Sequence, residues 1–249
     1  MHPVVLKSSQ LILAGDIEGA ENALVAIADQ HGDSALVSIL DEMQPKDLLA
    51  VMREFDSSKE SVVNMLVTPE QFARAVVLER KYGDRTGERL RAMINAVIYR
   101  DHDRVYDYLE ALSGMEAGGL TLADYFADRF DEVLCFATSG SFAPQIDPDS
   151  DPKTHNTWLM EKIDEIDQGL VFGDSIEQSR NVLSRAEVAD GDWMETAWML
   201  RHELPDAFEE MVAILRDRAQ AQIEAANLAT AEAFAESDAP AADEEESAI

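Results

Sequence analysis

Residues 43–72 read MQPKDLLAVMREFDSSKESVVNMLVTPEQF and place Pro45, Ser57 and Pro69 at twelve-residue intervals, each at the start of an apolar stretch. Each start has its own chemistry. Pro45 suits the first position of a helix, where its missing N–H would be unpaired anyway, and Leu48, Leu49, Val51, Met52 and Phe55 supply an apolar face. Asp56 or Ser57 can cap a second helix whose face is Val62, Val63 and Leu66. Thr68-Pro69-Glu70-Gln71 is a capping box with proline just inside, followed by Phe72, Ala75, Val76 and Leu78. Helices this short, joined by connections of about two to four residues, cannot bury their stripes alone and must stack. The apolar residues change phase from unit to unit, so an irregular stack is expected in place of a strict repeat.

Helical periodicity extends outward from this stretch in both directions, without alternating strand patterns or Asn-Gly hairpin signals. A first helix runs from Pro3 to about Ala14 and ends at Gly15; Asp16 caps a second that stops at His31-Gly32, and Ser34 begins a third with Leu36, Val37, Ile39 and Leu40 inward. Beyond Gly83 come GERLRAMINAVIYR and HDRVYDYLEALSG, a turn punctuated by Gly114, Gly118 and Gly119, and one helix over LADYFADRFDEVLCFA started by Thr121 and Asp124. Residues 138–153, TSGSFAPQIDPDSDPK, hold three prolines and no period, which reads as a linker. After it, NTWLMEKIDEID ends at Gly169, Ser175 with Gln178 and Asp192 with Glu195 cap two further helices, and a long helix starts near Pro205. The expected fold is all-α: an irregular α-solenoid or superhelical bundle of about ten helices with a disordered acidic C-terminal tail. Residues 1–137 form the N-terminal helical-repeat domain, 154–232 a C-terminal helical segment and 233–249 the tail.

Charge bounds the function. Fifty acidic against 20 basic residues give a formal net charge of -30. That argues against direct nucleic acid binding and against an anionic membrane surface, and favours a basic protein partner or simple solubility. The end of the chain, with Glu236, Asp238, Asp243, Glu244, Glu245 and Glu246, has no basic residue; without it the charge is still about -24. Cys135 is the sole cysteine, so there is no intrachain disulfide, and its place beside an apolar stripe marks a packed thiol. The opening MHPVVLKSSQLILAG lacks the order of a signal peptide, and no apolar run approaches a membrane span, so a cytoplasmic protein without membrane insertion is expected.

Two stretches resemble sites of chemistry. LVFGDSIEQS resembles the nucleophile block of GDS-type serine hydrolases, with Ser175 in the attacking position, but no Asp-x-x-His follows it and Ser175 is explained as an N-cap. Asp147, Asp149 and Asp151 have the spacing that opens an EF-hand loop, yet Pro152 stands where glycine makes the turn and Trp158 where the bidentate glutamate belongs. No catalytic, cofactor-binding or metal-ligating set is therefore assigned, and no cofactor is expected. The aromatic residues Tyr99, Tyr106, Tyr108, Trp158, Trp193 and Trp198 are candidate partner anchors as well as candidate core residues, because such rings bury much area and keep a polar tip.

Residues 36–78, with LVSILDEMQPKDLLAVMREFD and VTPEQFARAVVLE, resemble the cytosolic superhelical N-domain of MgtE-type magnesium channels and, more distantly, the helical units of the flagellar switch protein. Pro-acidic turns start the short helices there, as Gln44-Pro45-Lys46-Asp47 and Thr68-Pro69-Glu70-Gln71 do here. The whole chain is similar to an uncharacterised bacterial family of helical-repeat proteins. These resemblances imply a superhelical fold and no activity. The leading expectation is a non-enzymatic protein–protein interaction adaptor with an acidic helical surface; the alternatives are an acidic nucleic-acid mimic or inhibitor of a DNA-binding protein, and a hydrolase or divalent-metal-binding protein.

Overall fold

Local capping chemistry sets most helix boundaries in the computed structural model, which describes residues 1–55, 59, 61–83, 86–147, 149–169 and 183–237, with side chains to residue 229. The described residues form helices and no strand. Helix α1 (Pro3–Leu13) ends before Gly15, whose φ of 82° only glycine adopts readily, and α2 (Ile17–His31) starts on Asp16, which accepts from the Gly19 amide at 2.9 Å. Next come α3 (Asp33–Glu42) and α4 (Pro45–Glu54), with Pro45 at the first position and Leu48, Leu49, Val51 and Met52 buried. Helix α6 (Pro69–Val76) carries the complete Thr68–Gln71 capping box. Its glutamine also donates to Asp41 at 2.7 Å, tying α6 to α3, while the Ser9 hydroxyl donates to the buried Asp47 at 2.5 Å and ties α1 to α4.

Between them α5 (Val62–Leu66) is held from a distance. Its N-cap is Ser61, and Glu21 of α2 reaches across to accept from the Ser61 hydroxyl at 2.9 Å and the Val62 amide at 2.8 Å. The anticipated caps, Asp56 and Ser57, lie outside the described residues, and the helix begins later than even spacing requires because Glu21 fixes where its free amides must sit.

The middle of the chain holds α7 (Glu79–Tyr82), α8 (Gly87–Ile98), a 3₁₀ turn (His102–Arg104), α9 (Val105–Ser113), α10 (Gly118–Tyr125) and α11 (Phe130–Ser139). The helix expected over residues 120–137 is two helices. Thr121 lies inside α10, its hydroxyl bonded back to the Ala117 carbonyl at 2.8 Å, and the chain turns at residues 126–129, where Arg91 of α8 pairs with Asp128 at 2.5 Å. Helices α12 (Pro152–Asp167), α13 (Arg185–Val188), α14 (Trp193–Glu203) and α15 (Pro205–Ser237) complete the described fold. At 33 residues α15 is about 50 Å long. It buries Phe208, Met211, Val212, Leu215, Ala219 and Ile223 as one stripe against α10, α11, α12 and α14, and it continues past the 232/233 boundary to Ser237.

Residues 138–153 are not a free linker. Phe142 stacks on Phe136 at 4.1 Å and meets Trp193 edge-on at 5.2 Å, and Ile146 also packs on the core. A single apolar cluster accordingly runs from Val4 to Ile223 across this segment. The capping proposed for Ser175 falls outside the described residues.

Two glycines at the start of α10 separate backbone crowding from side-chain crowding. A Cβ on Gly118 would stand 2.1 Å from the Leu112 carbonyl oxygen, whereas one on Gly119 would meet only the mobile end of Glu210. Gly118→Ala is expected to destabilise the protein by about 1–3 kcal/mol and Gly119→Ala by less than about 1 kcal/mol, measured by urea unfolding.

Burial pushes the Glu21 carboxyl above the usual carboxylate range, with its hydrogen bonds opposing. A carboxyl whose folded pKa is raised contributes stability below its unfolded pKa and loses it as pH rises through the folded value. Relative to wild type, Glu21→Gln is therefore expected to gain stability as pH rises above about 4, the ordinary glutamate value. Parallel denaturation curves from that pH upward measure the difference; an unchanged or declining difference contradicts it.

Candidate functional site

The six aromatic candidates divide by position. Tyr108 is 1% exposed: its ring sits edge-on to Phe72 at 5.4 Å, its hydroxyl donates to the Val67 carbonyl at 2.7 Å, and the Arg100 and Arg104 guanidinium groups flank the ring. Trp158, 7% exposed, stacks on His155. These two are core residues and present no anchor to a partner. Tyr99, Trp193 and Trp198 are half-buried and tie elements together: Trp193 packs under Arg129 and against Phe142, and the Trp198 indole donates to the Leu183 carbonyl at 2.7 Å. Tyr106, also half-buried, places its hydroxyl at the surface, donating to Glu110 at 3.1 Å on the same face of α9.

Tyr99 belongs to a buried polar clasp. Arg91, Asn95 and Tyr99 repeat at four-residue spacing along α8 and so face the same way. Arg91 pairs with Asp192 at 3.1 Å as well as with Asp128, Asn95 donates to Asp192 at 2.6 Å, and the Tyr99 hydroxyl meets the Thr196 hydroxyl at 2.6 Å. From α10, the Tyr125 hydroxyl donates to Asn95 at 2.8 Å and lies 3.1 Å from that of Thr196. Asp192 was expected to cap α14; its carboxylate is drawn to Arg91 and Asn95, and Asp190 takes over by accepting from the Asp192 and Glu195 amides at 2.9 and 3.3 Å. The buried Glu195 is matched by Arg185 at 3.1 Å. Burial raises the pKa of Tyr99 and of Tyr125, so both phenols stay protonated as hydrogen-bonding groups at neutral pH. The clasp joins α8 and α10 to α14. The regular spacing of polar residues within the apolar α8 is the sequence signal that marks it.

A hollow of about 580 Å³ opens between α6 and α9. Ala73, Ala111 and Met115 are its apolar lining, with Thr68, Pro69 and Glu70 at the start of α6, Arg104 at the end of the 3₁₀ turn, and Asp107 and Glu110 along α9. Arg74 turns outward to Asp41 at 3.9 Å, and its Nε donates to the Glu70 carbonyl at 3.2 Å. Arg104 lies over the Tyr108 ring and faces Asp107 at 3.5 Å. A second hollow, about 410 Å³, is lined by Asp128, Asp131, Glu132, His155 and Arg218, and here each carboxylate has a cationic or imidazole neighbour: Arg91, His155 and Arg129 respectively.

The remaining sequence candidates form no assembled site. Asp151 caps α12 through the Lys153 and Thr154 amides, Asp147 accepts from the Asp149 amide at 2.9 Å, and among the described residues no three His, Cys, Asp or Glu side chains are grouped to hold a metal ion. Cys135 is buried beside Ser139 and the Ala143 carbonyl. Ser175 lies outside the described residues. No described helix is long and apolar enough to cross a membrane. No protein-family model, curated protein or solved structure matches the chain.

Replacing Thr196 by the near-isosteric valine removes the hydroxyl that the Tyr99 and Tyr125 hydroxyls share. Thr196→Val is expected to cost about 1–3 kcal/mol of unfolding free energy in chemical denaturation, while a threonine of the exposed α12 surface, Thr157→Val, changes it by less than about 0.5 kcal/mol.

Proposed function

We propose that the protein is a non-enzymatic interaction module that binds another protein, with a basic surface, through its acidic helical exterior. The observation that carries this reading is the placement of charge. The arginines are engaged within the chain: Arg91, Arg129, Arg185, Arg216 and Arg218 pair with carboxylates, and Arg100 and Arg201 donate to the Val67 and Phe136 carbonyls. Glu70, Glu161, Asp164 and Glu209 are among the carboxylates exposed at the surface. A surface of this kind steers basic partners and suppresses acidic ones, with a reach of about 8 Å at physiological ionic strength. The likeness of residues 36–78 to superhelical domains supports the same reading, since stacked helices make grooves that fit peptide segments.

Crosslinking with mass spectrometry in the native host tests it. The expected outcome is a partner whose crosslinked segments are rich in lysine and arginine, and whose affinity for the full chain falls steeply as salt is raised. Capture that persists unchanged at high salt and ignores removal of residues 236–249 contradicts the electrostatic reading.

A further inference from the structure

We propose that the hollow between α6 and α9 is the docking groove for a lysine- or arginine-bearing segment of the partner; this deepens, and rests on, the interaction-module reading. Charge complementarity selects the occupant. Each arginine at the groove has neighbours of its own, Arg74 facing Asp41 at 3.9 Å and donating to the Glu70 carbonyl, Arg104 facing Asp107 at 3.5 Å and lying over the ring of Tyr108. The lining therefore carries three carboxylates, Glu70 on the α6 side and Asp107 and Glu110 on the α9 side, against two arginines, and the Tyr106 hydroxyl donates to Glu110 at 3.1 Å.

Below them the lining of Ala73, Ala111 and Met115 is apolar and low. A lysine or arginine combines an aliphatic stem with a charged head, so the stem covers this lining while the head lies between Glu70 and Glu110. The hollow, at about 580 Å³, has room for more than one such side chain. Helix α6 is about 12 Å long, which matches two turns of a basic amphipathic helix. An acidic segment would meet a lining in which carboxylates outnumber arginines, and a second copy of this chain brings a net charge of -30 against the first.

The test is fluorescence anisotropy with the full-length protein and a fluorescein-labelled peptide of alternating lysine and alanine. Three variants are compared: Glu70→Gln with Glu110→Gln, the charge-matched control Glu161→Gln with Asp164→Asn on α12, and Ala111→Phe, which fills the groove without altering charge. The groove pair and Ala111→Phe are each expected to weaken binding by about tenfold or more, and the α12 pair by less than about twofold. Equal weakening by the two charge pairs, with Ala111→Phe binding as wild type, overturns the groove and leaves the acidic-surface reading standing. Failure of the wild-type protein to bind the peptide even at low salt contradicts both. Self-association of the wild type that Ala111→Phe abolishes puts a second copy in the groove and overturns the assignment. The groove pair changes only exposed side chains, so its result stands even if Ala111→Phe perturbs folding.

Discussion

The hydroxyl of Thr196, set between those of Tyr99 and Tyr125, is the contact that fixes α14 against α8 and α10. Polar groups buried this deeply are favourable only when every partner is present, so α8, α10 and α14 have one arrangement that satisfies them together. The Arg91 bridge to Asp128 and Asp192 adds to the same constraint, because leaving either a guanidinium or a carboxylate unmatched in a half-buried position costs more than the pair contributes. Helix α15 then lays its apolar stripe over the surface that these helices share.

Charge composition governs what the exterior can be. With 20 basic residues against 50 acidic ones, carboxylates stay in excess however many arginines are drawn into helix-to-helix pairs. Arg91, Arg185, Arg201 and Arg218 all act between segments far apart in the chain, Arg185 through the His102 carbonyl, while the excess carboxylates make the surface acidic. The proposal of a basic partner rests on that excess of carboxylates and on no single motif.

Helix boundaries were legible where the chemistry is local. Pro45, Asp16, Gly32 and the Thr68–Gln71 box each act within one turn of their own position, and each marks a boundary of the structure. Features set by distant contacts were not legible. Apolar period continues through residues 126–130, which hid the break between α10 and α11; Asp192 has the sequence of a cap but answers to Asn95, which precedes it by 97 positions. Proline content made residues 138–153 resemble a linker, and nothing nearby in the sequence announces that Phe142 stacks on Phe136. The groove between α6 and α9 was equally hidden, since Glu70 and Glu110 become neighbours of one hollow only when the two helices pack.

The polar clasp joins α8 and α10 to α14, so these helices should unfold as one cooperative body. Native-state hydrogen exchange followed by mass spectrometry tests it most directly. Amides of α8, α10 and α14 are expected to open together, with protection that Thr196→Val lowers in all three. Independent opening of α14 and α15, with α8 protection unaffected by that substitution, would contradict it.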